Sequence, residues 1–525
     1  MQKEKTEQKK LNNSLRIVAK SSFIVLIGLI FSKIMTYVYR IIIARELGPE
    51  VYGLFSLALM ISTLFIALAS LGLPEGLLRY ISFYRGEKEK GKSQYIFRFS
   101  LFISIITSII IGLVLFLFAE PVSTNIFNNS NLTIFLKWFG IFIPLVTITN
   151  LFSLLTRAYE EIGWNSFIIN IFQPFIKVTL LGILFFSGFK SMSIILSYNL
   201  SFIGVLILSL IVCSYKTADI FKIPNLDKKT KSKITKDLLA YSWPMMFLGM
   251  IMFIFYGIDS FIIGAFTGSE GVYNVGIYNS AVPIASLIGI APILFIQLFF
   301  PLITKEFAKK DTKLIKDLSK QIGKWIFILN LPLTLLMILF PEFLINLLFG
   351  PEYIPAKFAL IYLAIGMFFF SVFNVSEKLL SMAGKSKAVL FNLILAAIIN
   401  LILNLILVPA YGINGAAFAT MATYIFWSII SVLQAKYYVS IIPVRRKMLT
   451  ILLISIPSFL LVYYVKQLVQ PSLINTALQG ILFLLLYSFL ILITGALDRN
   501  DIMILHSLKN KNLKSILKKT HKQKK

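Results

Sequence analysis

The most obvious pattern along the 525 residues is an alternation of long apolar runs with short polar segments. A helix needs roughly 20 mainly apolar residues to cross the hydrocarbon core of a bilayer, and each run is long enough to supply them. The pattern therefore predicts an all-α polytopic membrane protein with about 14 transmembrane helices. We number the runs as spans 1 to 14, with centres near residues 32, 64, 109, 145, 177, 203, 252, 288, 332, 367, 398, 425, 457 and 487.

The basic residues support this count, because they alternate from one polar segment to the next. Of the 51 Lys and Arg residues, 43 lie in the two terminal segments and in every second loop, including the loops at 214–238 and 304–324. The intervening loops hold only five, and three more lie inside apolar runs. Because Lys and Arg accumulate in cytoplasmic loops, both termini are predicted to be cytoplasmic, in a multi-pass protein of the cell membrane.

Composition narrows the class of protein further. The chain is 58% hydrophobic and only 14% charged, which excludes an ordinary soluble domain. Its net charge of +28 does not indicate a nucleic-acid partner, because the basic residues are spread over eight segments. Instead, they set the orientation of the spans and provide contacts for anionic membrane lipids. The only histidines, His506 and His521, lie near the chain end, and Cys213 is the single cysteine, so no metal site, disulfide or resident cofactor is predicted.

The two halves of the chain contain similar segments at an offset of about 223 residues. The segment Gly-Pro-Glu-Val-Tyr-Gly-Leu-Phe at 48–55 resembles Gly-Val-Tyr-Asn-Val-Gly-Ile-Tyr at 271–278, which aligns Gly53 with Gly276. A second match, at a similar offset, aligns 163–170 with 384–392. An offset of six spans keeps the same orientation, so these matches predict two six-helix bundles related by pseudo-twofold symmetry about an axis along the membrane normal. The alternative is coincidence among apolar sequences of similar composition.

This organisation divides the chain into six parts. A cytoplasmic segment (1–20) precedes the N-terminal six-helix bundle (21–213). A basic linker (214–239) then leads to the C-terminal six-helix bundle (240–435). Two additional helices (449–497) and a basic cytoplasmic tail (498–525) complete the chain.

Three segments resemble those of a known family. They are Ala-Arg-Glu-Leu-Gly-Pro-Glu-Val-Tyr-Gly-Leu-Phe at 44–55, Leu-Gly-Leu-Pro-Glu-Gly at 71–76 and Pro-Ala-Tyr-Gly-Ile-Asn-Gly-Ala-Ala at 409–417. They resemble the polysaccharide biosynthesis or Wzx-like flippases of the multidrug/oligosaccharidyl-lipid/polysaccharide exporter superfamily, which includes the MATE drug exporters. The resemblance covers roughly residues 14–495. It implies that a lipid-linked saccharide, attached to a polyprenyl phosphate or pyrophosphate, reaches the external leaflet by alternating access.

Charged residues within the spans are the candidate substrate site. An ionisable side chain near the bilayer centre costs at least about 2.5–3.5 kcal/mol, so it normally faces a wet cavity or a partner. Lys33 and Arg40 lie two helical turns apart on one face of span 1, and Lys177 is central in span 5. These three, with Arg45 and Arg79 near opposite ends of spans 1 and 2, form a predicted cationic cavity for a phosphate or pyrophosphate group. Arg40 snorkelling to the outer interface is the alternative for that residue.

Two carboxylates are candidates for an ion pair or for coupling to a cation, either Na⁺ or H⁺. Asp259 is well inside span 7, and Glu377 is near the inner end of span 10. Asp259 either neutralises Lys33 or Arg40 between transport cycles, or binds a coupling ion, or forms a structural ion pair. Amides within the spans suit either sugar binding or interhelical hydrogen bonds: Asn150, Asn170, Gln173, Asn199, Asn374, Asn392, Asn400 and Asn404.

Two other functions were weighed against a flippase. A small-molecule exporter would share the same fold. A membrane enzyme acting on lipid-linked sugars would need a base or metal carboxylates in a sizeable external loop, whereas the longest such loops, near 119–133 and 341–357, contain no His or Asp. We therefore expect a transporter and not an enzyme, with saccharide-assembly enzymes as its candidate protein partners.

Overall fold

A computed structural model describes residues 2–296, 312–470 and 472–495, with side chains from residue 25 onward. Within these ranges the chain is helical and contains no β-strand. The predicted tail, with both histidines, and residues 304–311 of the 304–324 loop lie outside the described residues.

The α-helices are numbered here in chain order. In the first half they are α1 (Gln2–Ser70), α2 (Leu73–Gly86), α3 (Lys90–Pro121), α4 (Leu132–Ala158), α5 (Ile162–Ser166), α6 (Gln173–Phe186), α7 (Met192–Lys216), α8 (Lys228–Phe266) and α9 (Gly271–Ser286). In the second half they are α10 (Thr312–Leu339), α11 (Pro341–Leu348), α12 (Lys357–Met382), α13 (Ser386–Val439), α14 (Arg446–Leu468) and α15 (Leu473–Ile493).

The described residues contain twelve continuous helical stretches that are long and apolar enough to cross a membrane. Two of these stretches are double length and are broken at a glycine: Gly48 in α1 (φ 78°) and Gly412 in α13 (φ 55°). Only glycine adopts such backbone angles without steric cost, so each break is specified by the sequence. Counting both segments of α1 and of α13 gives fourteen spans, which confirms the predicted number and the all-α polytopic class.

One irregular turn interrupts span 5. Residues Phe167–Phe172 form a π-helical turn between the short α5 and α6, and Pro174 follows at the start of α6. Such turns contain one more residue than an α-helical turn and are frequent at functional sites. Since Lys177 lies on α6, this turn precedes one of the candidate site residues directly.

The helices form two compact units, each built from separated parts of the chain. The first comprises Met1–Leu287, Leu344–Gly366 and Lys387–Trp427. Its helices α1, α2, α3, α4 and α7 are packed tightly, and the close approach of α3 to α4 depends on Gly112 and Gly140, where a Cβ on Gly112 would meet the carbonyl oxygen of Gly140 at 2.6 Å. All the residues of the candidate site except Glu377 belong to this unit.

The second unit comprises Ile288–Phe343, Met367–Ser386 and Ser428–Lys525. Its core combines α10, the C-terminal part of α12, α14 and α15, with Ile326, Val375, Ile451 and Tyr487 among the buried side chains. The chain boundaries predicted for the two six-helix bundles remain a prediction.

One basic residue departs from the pattern of charged loops. Lys324, counted with the loop at 304–324, is fully buried in α10. Helix α10 (Thr312–Leu339) includes residues that precede the apolar run, and although Lys313 and Lys316 near its start are exposed, Lys324 in its fourth turn lies in a packed environment. The basic residues of a polar segment are therefore not all in solvent.

Candidate functional site

Three of the five predicted cations converge in the first unit. Lys33, Tyr37 and Arg40 occupy one face of the first segment of α1, and Lys177 approaches from α6. Arg40 lies within electrostatic reach of both Lys33 and Lys177, so it is the member that links the two lysines. We call Lys33, Arg40 and Lys177 the cation cluster.

Within the described ranges, no acidic side chain pairs with this cluster. Among the described residues, no carboxylate oxygen lies within 4.0 Å of a basic nitrogen of Lys33, Arg40 or Lys177. Arg40 instead donates from Nη1 to the hydroxyl of Tyr52 at 3.1 Å. Three like charges without a counter-ion repel one another, and an anionic ligand would relieve that repulsion. The cluster is thus suited to binding an anion of at least two charges.

Aromatic rings surround Lys177. Its Nζ lies 4.7 Å from the ring centroid of Tyr39 and 5.5 Å from that of Tyr198. Phe55 packs edge-on against both rings, so their positions are fixed. A ring face attracts a cation but makes no strong hydrogen bond with it, so Lys177 keeps its donors for a ligand.

Arg45 and Arg79 do not join the cation cluster. Arg45 lies at the predicted outer ends of the helices and donates to the backbone carbonyl oxygens that end α11, to Leu348 at 3.0 Å, Leu347 at 2.5 Å and Asn346 at 3.3 Å. Arg79 lies at the predicted inner side, with its guanidinium carbon 4.3 Å above the ring of Tyr241. The first makes a helix-end contact and the second a cation–π contact, and neither contact involves a ligand.

Asp259 is the centre of a second polar cluster. Its Oδ2 accepts hydrogen bonds from the hydroxyls of Tyr278 and Thr420, each at 2.6 Å, and its Oδ1 accepts one from the amide of Asn404 at 2.8 Å. The side chain of Asn400 donates to Thr420 at 3.2 Å and extends the cluster. Asp259 forms no ion pair with Lys33 or Arg40, so the predicted neutralising pair is absent from this arrangement.

The Asp259 cluster places one carboxylate among uncharged hydroxyl and amide groups. Four helical segments contribute to it: α8 with Asp259, α9 with Tyr278, and the two segments of α13 with Asn404 and Thr420. Among the described residues there is no group of three or more His, Cys, Asp or Glu side chains that could hold a metal ion. One carboxylate with hydroxyl and amide oxygens is a donor set for a single positive charge, either a proton or a hard monovalent cation.

Glu377 lies in the second unit and has a local partner. Its Oε1 is 3.3 Å from Nζ of the next residue, Lys378. The contact between neighbours in sequence accounts for the charge of Glu377 without a transport role.

Sequence reasoning found the charges but not their partners. Tyr39, Tyr52, Tyr198, Tyr278 and Thr420 complete the two clusters, and none was singled out as a site residue. The amides Asn400 and Asn404 were noted only as members of a larger group. Buried tyrosines inside membrane helices need a hydrogen-bond partner, and this requirement was the available indication.

Comparison with protein families gives two matches. The sequence model of a family described as "Polysaccharide biosynthesis protein" matches residues 18–307, which is more than half of the chain. A second one, described as "MatE", matches residues 244–406. The first covers the whole cation cluster and the second covers Asp259, Tyr278 and Asn404.

Curated relatives cover most of the chain at low identity. An uncharacterized membrane protein of Methanocaldococcus jannaschii is 23% identical over 86% of this chain and 90% of its own. A putative O-antigen transporter of Shigella flexneri is 23% identical over 75% of this chain and 90% of its own. The lipid II flippase MurJ of Bacillus subtilis is 22% identical over 83% of this chain and 86% of its own.

Solved structures share the fold. A lipid II flippase MurJ in an inward closed conformation aligns with a TM-score of 0.69 at 15% identity, over 90% of this chain and 99% of that one. An inward-facing multidrug resistance MATE family transporter aligns with a TM-score of 0.60 at 15% identity, over 80% of this chain and 98% of that one.

Proposed function

The chain belongs to the polysaccharide biosynthesis protein family, and we propose from this that it is a flippase for a lipid-linked saccharide. Its substrate is an oligosaccharide or polysaccharide precursor on a polyprenyl phosphate or pyrophosphate. The protein moves it across the cytoplasmic membrane by alternating access, with both termini in the cytoplasm, alongside the enzymes that assemble the saccharide. Relatives named as an O-antigen transporter and a lipid II flippase support this choice of substrate class.

The observation that carries the proposal is the cation cluster, with which no carboxylate among the described residues forms an ion pair. Lys33, Arg40 and Lys177 lie on membrane helices, where each uncompensated charge costs several kcal/mol. A stable protein keeps such a cluster when a function requires it. A pyrophosphate group offers several oxygens with more than one negative charge, so Arg40 can bind it with two parallel hydrogen bonds while the lysines contribute point charges.

Asp259 supplies the coupling element of the proposed cycle. Its oxygens already accept three hydrogen bonds from uncharged groups, so a proton or Na⁺ entering there replaces those donors and neutralises the carboxylate. The energy of a cation gradient would then reach the transport cycle through this site. Glu377, which is paired with Lys378, is not part of this proposal.

A second candidate function is export of organic cations. The MatE match over residues 244–406 and the shared fold with a multidrug transporter favour it. In that case the ligand carries a positive charge, which the cation cluster would repel. The two functions therefore predict opposite charge preferences for the transported molecule.

Reconstituted vesicles distinguish these functions. The purified chain is expected to move a labelled polyprenyl-pyrophosphate sugar between leaflets, and Lys33→Ala with Lys177→Ala is expected to slow this at least tenfold. Undiminished movement by the double variant would contradict the role of the cation cluster. Transport of a cationic dye with no movement of the labelled sugar would favour the exporter.

A further inference from the structure

One hydrogen-bonded route connects the cation cluster to the Asp259 cluster within the first unit. It passes through Tyr52 on the second segment of α1 and then through Tyr278 and Asn279, which are adjacent residues of α9. All three side chains are buried, at 0%, 2% and 9% exposure. These three residues of the route are therefore shielded from solvent.

The first part of the route joins Arg40 to α9. Tyr52 accepts a hydrogen bond from Nη1 of Arg40 at 3.1 Å and donates one to the backbone carbonyl oxygen of Asn279 at 3.0 Å. Its ring packs against those of Phe349 and Tyr353, which hold the hydroxyl in place. A rotation of Arg40 that turns Nη1 towards a ligand would remove the donor of Tyr52, and Tyr52 is in turn bonded to the backbone of α9.

The second part joins α9 to the carboxylate. The hydroxyl of Tyr278 donates to Asp259, and the amide of the next residue, Asn279, donates to the hydroxyl of Ser260 at 3.0 Å. Two consecutive residues of α9 thus hold two consecutive residues of α8. Within a helix, neighbouring residues keep a fixed relative geometry, so displacement of Tyr278 by a cation also moves the carbonyl that Tyr52 contacts.

We propose that Tyr52 is the positioning residue that couples cation binding at Asp259 to anion binding at the cation cluster. This inference rests on the proposed function and adds the physical connection between its two sites. If the route transmits binding, each ligand changes the affinity of the other by the same factor. The hydroxyl of Tyr52 carries this coupling, whereas its ring only packs.

The test uses the purified full-length chain and inorganic pyrophosphate as the probe. Its Kd is measured by calorimetry in NaCl and in choline chloride at equal ionic strength, and again in choline chloride at pH 6 and pH 8. The first pair of conditions reports on Na⁺ and the second on H⁺ as the coupling cation. For the unmodified chain, one of the two pairs is expected to change the Kd at least fivefold.

Tyr52→Phe removes both hydrogen bonds and keeps the ring. This variant is expected to bind pyrophosphate with a Kd that differs less than twofold between the same conditions. The matched control is Tyr37→Phe, because the Tyr37 hydroxyl also joins α1 to α9, through Ser286 at 2.9 Å, but lies outside the route. It should keep the cation dependence of the unmodified chain.

The outcomes separate the two proposals. Three results would overturn the coupling role alone, provided that pyrophosphate binds. The cation dependence of its Kd could survive in Tyr52→Phe, could disappear equally in Tyr37→Phe, or could be absent from the unmodified chain. A chain that fails to bind pyrophosphate under any condition would overturn the proposed function and, with it, this inference.

Discussion

Gly53 and Gly276 pack backbone to backbone where the second segment of α1 crosses α9. A Cβ on Gly53 would overlap the carbonyl oxygen of Val272, and one on Gly276 would overlap that of Pro49. Each would also lie 3.1 Å from the backbone nitrogen of the other glycine. The contact is reciprocal. Gly53 and Gly276 correspond in the predicted 223-residue repeat, and each packs against the segment of the other, as equivalent residues of two copies do beside a twofold axis.

This crossing predicts that both glycines resist the smallest substitution. Gly53→Ala or Gly276→Ala forces the two backbones apart, and overpacking of this kind costs about 1–3 kcal/mol. Thermal unfolding of the purified protein should show each variant melting several degrees lower. Gly182→Ala is the control, because no atom lies within 4 Å of the added Cβ on α6 and alanine favours the helix. Equal melting of Gly53→Ala and Gly182→Ala would contradict the close crossing.

Lys177 should contribute to anion affinity through its charge. Lys177→Met keeps the length of the side chain but removes the ammonium group, and a hydrogen bond to a charged group contributes about 1.5–3 kcal/mol. The Kd for pyrophosphate should therefore rise at least tenfold, whereas Lys177→Arg should stay within threefold. The control is Lys222→Met, an exposed lysine in the segment after α7. A similar loss in Lys222→Met would indicate a general effect of net charge.

Asp259→Asn should abolish the dependence of transport on the coupling cation. The amide retains the shape of the side chain but has no charge to neutralise, and it presents a donor to the partners Tyr278 and Asn404. We expect labelled lipid movement in vesicles to fall at least tenfold and to lose its response to a gradient of Na⁺ or H⁺. Glu377→Gln, which only breaks a contact with Lys378, should keep that response. A gradient response that persists in Asp259→Asn would place the coupling ion elsewhere.

Arg45 should hold two predicted outer segments together. Arg45→Ala removes three hydrogen bonds to the end of α11 and leaves in place the bond from Tyr353 to the carbonyl of Ala44. Because Cys213 is buried, a cysteine introduced in place of the buried Ala44 can report on opening. Its labelling by a maleimide should accelerate at least tenfold when Arg45→Ala is added, and Arg79→Ala should leave the rate unchanged. Equal rates in all three proteins would refute this role.

The membrane-spanning helices could be predicted from the sequence, because a chain that crosses a bilayer has few other ways to satisfy its backbone hydrogen bonds. An apolar run of sufficient length must be helical, and a glycine followed by a proline at 48 and 49 ends one span and begins the next. Charge also singles out Lys33, Arg40 and Lys177 in the sequence, since a cation within a membrane span is too costly to be incidental.

Contacts between residues that are far apart in sequence could not be predicted from apolar runs and charge alone. Thr420 reaches Asp259 across 161 residues and Asn404 across 145, and no local pattern encodes either pairing. Arg45 has the same chemistry as Arg40, yet its partners are backbone carbonyls some 300 residues away. The burial of Lys324 likewise depends on how α10 packs, which hydropathy does not report.

The π-helical turn at Phe167–Phe172 has a consequence for the evolution of the site. Each residue of an α-helix advances the chain by about 100° around the axis, so removing the extra residue of that turn would rotate all that follows it by that amount. Lys177 would then leave the rings of Tyr39 and Tyr198 for another face of the span. The direction in which this lysine points therefore depends on one residue upstream, and a chain without that residue would need its cation at a neighbouring position of span 5.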